Sequence, residues 1–360
     1  MARSSASRDA KKAAARKLAA AARAQDLETL GKEVGAGSAI AAADMVHAAG
    51  LGWRAGLALM VKHGGDLNAS HRNYRPLHAL IQEKPHHGGS STPKRVACLK
   101  WLLSHGADPE LTGAWPLMRA LIVAAFTGER EYITALLDGG ARLDFFGDAA
   151  LGNASKVKKS LAKDPNLAYA RDEGGVTALH CCAGSRLGRS DRKTARGLLE
   201  TARLLIDAGA NPNETVRSWG HDVDVMYFAV GQADTEMITL LLDSGADATA
   251  ALPPAAWRGD YDLCELLLAR GARIDEARDG GRPILNELIR WGQFKPAMWL
   301  LSKGASPNVP DERGWTAVHQ AASRGNVRML SAVLVAGGDR HRRDAEGLTA
   351  ADIGIPRSVK

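Results

Sequence analysis

Aromatic residues are scarce, at 5% of 360, and tryptophan (8) outnumbers both phenylalanine (5) and tyrosine (5). Cysteine is scarcer still: four residues do not make a disulfide framework, and adjacent Cys181 and Cys182 are badly placed to pair with each other. The thiols point to a soluble, cytoplasmic protein in a reducing compartment. No run of about 18 apolar residues exists, so no membrane-spanning helix is expected. No uninterrupted apolar stretch near the N-terminus suits a secretory signal.

Chemical motifs are also missing. There is no Gly-rich phosphate loop ending Gly-Lys-Ser/Thr, no Cys-x-x-Cys pair and no His-Glu-x-x-His. Gly35-Ala36-Gly37 lacks the third glycine and the preceding strand of a dinucleotide loop. His86-His87 are adjacent loop histidines without a fixed third ligand. Hence no catalytic residue, cofactor or metal is expected. Charge of either sign is nearly balanced once the ends are separated. Residues 1–25 hold seven Lys/Arg against one acid, so +6 of the formal +7 sits there and the other 335 residues carry +1. A body that wraps a polyanion is disfavoured by this balance.

What is present is repetition. Two apolar residues, two variable ones, Gly and a small residue recur as Leu102-Leu103 to Ala107, Leu136-Leu137 to Ala141 and Leu205-Ile206 to Ala210. They return as Leu241-Leu242 to Ala246, Leu267-Leu268 to Ala272 and Leu300-Leu301 to Ala305, with looser copies ending at Gly65 and Gly338. The glycines Gly64, Gly106, Gly140, Gly209, Gly245, Gly271, Gly304 and Gly337 lie 42, 34, 69, 36, 26, 33 and 33 residues apart. An interval of 69 is about two units of a common period near 33. Leu-Leu closes a helix on a core, Gly ends it in the left-handed conformation, and the next residues turn. About ten residues on, helices start at Arg75-Pro76-Leu77-His78-Ala79, Thr177-Ala178-Leu179-His180-Cys181 and Thr316-Ala317-Val318-His319-Gln320. Thr caps, Pro or Ala fills the first turn, and His can bond neighbouring loop backbone.

Together these patterns resemble the ankyrin repeat, whose signature is Thr-Pro-Leu-His-x-Ala followed by a second helix ending Leu-Leu-x-x-Gly-Ala-Asp. Asp311 to His319 and Asp172 to His180 match it almost residue for residue. The resemblance covers about residues 38–354. It implies an all-α solenoid of about nine helix-turn-helix repeats with short β-hairpin fingers and a C-terminal half-repeat at Asp344–Asp352. The repeats are expected at 34–69, 70–109, 110–144, 145–170, 171–213, 214–248, 249–275, 276–308 and 309–340. The unit at 249–275 is too short for a finger, and its helix start is expected at Leu252-Pro253-Pro254. The unit at 145–170 is also clipped. In 110–144 the register is ambiguous between Trp115-Pro116-Leu117 and Ala124-Ala125.

Three segments stand apart. Residues 1–33 form a basic, Ala-rich arm, helical by propensity over 8–32 and expected to be dispensable for folding of the array at 34–354. Its readings stay open: a solvated helix capping the first repeat, a contact with anionic surfaces, or an organellar targeting segment. Insertions at 83–95 and 184–197 separate the two helices of their repeats, as solvated loops or as partner contacts. Residues 355–360 read as a tail. Cys181 and Cys182, beside His180, and likewise His78 and His319, are read as structural.

The resemblance implies a non-catalytic scaffold that binds a protein partner on a concave face made of hairpin tips and first-helix ends. Matching positions give Glu173, Val176 and Ser185, then Trp257, Arg258, Arg290 and Trp291, then Arg313, Trp315, Ser323 and Arg324. Trp and Arg are the residues most enriched at interface hot spots. Either they line a groove over 250–330, or each Trp fills space left by a clipped finger. Trp101 and Trp299 sit in second-helix apolar runs and are expected in the core. The alternative function is nucleic-acid or anionic-polymer binding through the arm and residues 186–196. The partner is unidentified, no membrane is involved, and a monomer is expected. High Ala, Arg and Gly content points to a GC-rich bacterial source.

Overall fold

The computed structural model describes residues 2–82, 92–218, 220–232, 234–278 and 281–354, with side chains from Ala10 onward. The chain divides into two compact units, Met1–Val225 and Met226–Lys360. In unit 1, α1 (Ala2–Ala24) and α2 (Leu27–Gly35) precede five helix pairs. These are α3/α4 (Ala42–Gly50, Arg54–Lys62), α5/α6 (Pro76–Gln82, Pro93–Ser104) and α7/α8 (Ala120–Thr127, Arg130–Asp138), then α9/α10 (Phe145–Ala150, Ala154–Lys163) and α11/α12 (Ala178–Gly184, Arg192–Asp207). Four pairs follow: α13/α14 (Val225–Gln232, Thr235–Asp243), α15/α16 (Ala248–Arg258, Tyr261–Ala269), α17/α18 (Ile284–Arg290, Phe294–Ser302) and α19/α20 (Ala317–Ser323, Val327–Val335). A lone helix, α21 (Ala350–Ile353), comes last. Nine of these pairs coincide with the nine expected repeats, and α21 with the half-repeat.

First helices stack on first helices (α3 on α5, α5 on α7, α7 on α9, α9 on α11; α17 on α19, α19 on α21), and second helices form the outer layer (α6 on α8, α10 on α12, α18 on α20). The core between the layers is small and aliphatic. Leu121, Ile122, Val123, Ala124 and Ala125 of α7 are all buried, as are Ala317, Val318, Ala321 and Ala322 of α19. Each second helix ends as its sequence requires. The eight repeat glycines all adopt φ between +88° and +97°, a region closed to most side chains.

Among the described residues, three hairpins precede first helices: β1 (Thr112–Gly113) with β2 (Met118–Arg119), β3 (Thr215–Ser218) with β4 (His221–Asp224), and β5 (Ala277–Arg278) with β6 (Arg282–Pro283). The ambiguous register resolves: Trp115-Pro116-Leu117 lies in the hairpin loop, and Ala124-Ala125 lies inside α7. No finger precedes α15. That helix starts at Ala248, four residues before the expected Leu252, because Asp247 caps it directly by accepting from the Thr249 amide (2.9 Å).

The arm is not a free helix. Leu18, Ala21 and Ala22 are buried where α1 packs on α2 and α3. The chain breaks at Gln25 (φ +54°), and Asp26 caps α2 through the Thr29 amide. The boundary expected at residue 34 thus falls inside α2, and α1/α2 forms a further helix pair ahead of α3/α4. Of the first insertion, residues 83–91 lie outside the described residues, including His86 and His87; Thr92 caps α6. The second is largely regular: a 3₁₀ turn at Leu187–Arg189, then the opening turns of α12, a helix of 16 residues. Residues 355–360 lie outside the described residues.

Candidate protein-binding surface

Four fingers are fastened by a side chain of the preceding repeat. His78 Nε2 donates to the Met118 carbonyl (2.8 Å), and His319 Nε2 reaches the Leu348 carbonyl (3.4 Å). His180 bonds the backbone of Glu214 and caps its own helix, its Nδ1 accepting from the Thr177 amide (3.2 Å). Burial keeps the His78 and His180 rings neutral, pulling His78 down to about 4 and His180 to about 3. Asn286 holds the equivalent position in α17 and donates to Val309 and Trp315 carbonyls (3.3 and 2.9 Å). The sequence motif, keyed to His, missed it. Cys98, Cys181, Cys182 and Cys264 are buried free thiols, and burial raises Cys181 and Cys182, the reverse of an activated nucleophile. Among the described residues, no group of three or more His, Cys, Asp or Glu could hold a metal.

The candidate residues separate into two places in unit 2. Arg258, Trp291 and Arg324 each precede a glycine with positive φ (Gly259, Gly292, Gly325) at the C-terminal end of a first helix, 33 residues apart. Trp257 is 43% and Trp291 59% exposed, high for the largest apolar side chain. Glu287 organises the second: it accepts from Trp291 Nε1 (2.9 Å) and pairs with Arg282 (3.2 Å) and Arg290 (3.3 Å). The Arg290 guanidinium lies 5.5 Å from the Trp291 ring centre. A Cβ on Gly292 would sit 3.2 Å from the Arg324 guanidinium, so Arg324 lies beside Trp291. Ser323, ahead of it, is exposed. Arg258 is committed elsewhere, donating to the Val230 and Gly231 carbonyls (both 2.8 Å) at the end of α13.

Arg313 and Trp315 belong to a fingertip at the other end of α19, about 10 Å away for a seven-residue helix. Trp315 is only partly exposed. Its Nε1 donates to Asp344 (3.0 Å), and the Arg313 guanidinium covers its ring at 4.3 Å. The fingertips touch in sequence, since a Cβ on Gly281 would meet Glu312 and the Ala345 amide donates to the Arg313 carbonyl (2.9 Å). In unit 1, Glu173 is exposed on its fingertip. Two expected contacts are corrected. Val176 is fully buried and Ser185 nearly so, because Val176 closes the finger onto α11 and Ser185 caps the turn to Leu187; neither presents a side chain to a partner. Trp101 is buried as expected, whereas Trp299 is half-buried, stacked on Tyr261 at 5.1 Å.

Paired antiparallel helices stacked in two layers, with fingers locked repeat to repeat, define a helical repeat protein. Comparison with known proteins names its family. The ankyrin repeat matches residues 174–216, and a description of multiple ankyrin repeats matches residues 288–334. Bovine cyclin-dependent kinase 4 inhibitor B is 36% identical over 116 residues, spanning 32% of this chain and 87% of that protein. Human SH3 and multiple ankyrin repeat domains protein 2 is 27% identical over 232 residues, 62% of this chain. An ankyrin repeat-containing protein of Treponema pallidum is 33% identical over 102 residues, 28% of this chain. The chain spans only 12% and 34% of the last two. The human ASB11 ankyrin repeat domain superposes with a TM-score of 0.44 at 25% identity, covering 61% of this chain and 95% of that domain. The chain belongs to the ankyrin repeat family, whose members are generally non-catalytic scaffolds for protein interaction. Among the described residues, no helix is long and apolar enough to cross a membrane.

Proposed function

We propose that the chain is a non-catalytic scaffold that binds a protein partner, and that the contact centres on the first-helix ends of unit 2. The observation that carries this is the pair of exposed tryptophans, Trp257 and Trp291, at neighbouring helix ends. An indole left about half in water forfeits burial worth a few kcal/mol, and a partner recovers it. Arg290, Ser323 and Arg324 flank Trp291 and supply donors, while Arg258 contributes through its aliphatic stem. Arg313, Trp315 and Glu173 form separate fingertip contacts. The four buried thiols support a cytoplasmic setting.

Affinity capture with the intact chain and its Trp291→Ala variant, identified by mass spectrometry, tests this. A hot-spot Trp costs roughly 2–4 kcal/mol when truncated, so a specific partner should be lost by about 30-fold or more. An unchanged melting temperature is expected alongside, because the ring is mostly in water. Equal capture by both forms would sink the reading. The alternative, nucleic-acid binding through the exposed Lys11, Lys12, Arg16, Lys17 and Arg23 of α1, predicts binding that collapses as salt rises.

A further inference from the structure

A body charge of +1 conceals a local excess in unit 1. α10 carries Lys156, Lys158, Lys159 and Lys163 with no acid, and residues 192–203 of α12 carry Arg192, Lys193, Arg196 and Arg203 against Glu200 alone. The two helices pack side by side. Val157 and Leu161 of α10 and Leu198, Thr201, Ala202 and Leu205 of α12 turn inward, leaving all eight basic side chains exposed. The approach is backbone to backbone at one end. A Cβ on Gly197 would lie 2.3 Å from the Gly152 carbonyl oxygen, so the turn leading into α10 packs against the second turn of α12.

Seven of these eight charges stand without an ion pair among the described residues. Among the described residues, only Lys156 of the eight has a carboxylate within 4 Å, Asp148 at 3.3 Å. By contrast, the exposed Arg142, Arg171 and Arg217 of the same unit each meet an acid. Asp164 and Asp207 lie at the far, C-terminal ends of the two helices. At the converging end a cleft of about 660 Å³ opens between α8, α10 and α12. Ile133, Leu151 and Leu187 form its apolar lining, and Arg130, Lys156 and Lys193 its basic rim. The second insertion builds one wall: it supplies Leu187 and Asp191, and Arg130 clamps Asp191 (2.9 Å) and Thr194 (2.7 Å).

We propose that this outer-helix face of unit 1 docks an acidic protein segment, with carboxylates on the α10/α12 charges and an apolar side chain in the cleft. The concentration of unpaired charge of one sign selects an anionic partner. The apolar lining selects a polypeptide over a phosphate backbone, and neither α10 nor α12 offers an aromatic ring for bases to stack on. This surface belongs to the second helices and is separate from the Trp291 surface.

The test uses the full chain and a fluorescein-labelled peptide of glutamates and leucines, followed by anisotropy at low and physiological salt, with a single-stranded and a duplex DNA as competitors. The peptide should bind, and Lys158→Gln/Lys159→Gln/Arg192→Gln/Arg196→Gln, neutral and exposed, should weaken it about tenfold or more while leaving the circular-dichroism spectrum unchanged. Leu187→Ser, in the cleft lining, should weaken it as well. Lys11→Gln/Lys12→Gln/Arg16→Gln/Lys17→Gln in α1 and Trp291→Ala should not. The proposal is overturned if the peptide does not bind, if the α1 variant loses binding and the α10/α12 variant keeps it, or if DNA displaces the peptide and itself depends on the α10/α12 charges.

Discussion

Leu18→Ala separates a structural N-terminal helix from a decorative one. Leu18 is completely buried between α1, α2 and α3, while its neighbour Lys17 is exposed. Removing a buried leucine side chain costs about 2–4 kcal/mol, the lower part of the range applying where a terminal element can relax. Repeats contact mainly their neighbours, so the loss should stay local. Hydrogen exchange read by mass spectrometry is the appropriate assay. Amides of α1, α2 and α3 should exchange about 30- to 1000-fold faster, the kinetic equivalent of that energy. Those of α7 onward should hardly change. Lys17→Ala is the control and should lie within about 0.5 kcal/mol of the parent. If Leu18→Ala and Lys17→Ala exchange alike, α1 contributes nothing to the array and the packing argument fails.

Other perturbations have equally definite outcomes. Arg119 is nearly buried and pairs with Glu110 (3.0 Å) and Asp144 (2.6 Å), which hold its charge and raise its pKa against the cost of burial. Arg119→Ala should cost about 2–4 kcal/mol by stranding both carboxylates, and a urea-midpoint loss worth under about 1 kcal/mol would contradict this. His78 and His180 are held neutral, so protons bind the unfolded chain preferentially. Their stabilisation is complete above about pH 6.5 and falls by about 1.4 kcal/mol per pH unit per histidine as pH drops toward the folded values near 4 and 3. Urea midpoints between about pH 7 and pH 5 should therefore fall, and His78→Gln/His180→Gln should flatten the slope. Gly197→Ala forces a methyl against the Gly152 carbonyl and should cost about 1–3 kcal/mol, seen as a lower melting temperature.

The array was legible because its punctuation is local. A Gly that must adopt positive φ and a Thr that must cap a helix announce themselves within a few residues, and all eight glycines and both Thr caps behave as read. What stayed hidden depends on partners distant in sequence. Nothing near Val176 or Ser185 marks them as buried; the folding of the finger over α11 decides that. The register of the 110–144 unit was settled by β1 pairing with β2. The tryptophans divided by environment: Asp344, 29 residues on, engages Trp315, while Trp291 meets the local Glu287 and Arg290 of its own helix. The arm's contact with the first repeat was one of several open readings, because Ala is both a solvated helix former and a good packing residue, and Leu18 is the one leucine in α1. Charge averaged over a long segment erased the α10/α12 cluster.

The histidine fastenings give the array a direction, and that fixes where it can be cut. Four first helices (α5, α11, α17 and α19) hold the finger that comes after them, so a chain ended at one of these motif boundaries loses the clasp along with the next repeat. Stopping at Arg342 would keep α19 and α20 whole. It would still remove the Leu348 acceptor of His319, the Asp344 acceptor of Trp315 and the Ala345 donor to Arg313. The same holds for an internal fragment ended after α5/α6, α11/α12 or α17/α18. Its last complete repeat must carry the following finger to keep the clasp filled, and its first finger gives up the side chain that fastened it from upstream.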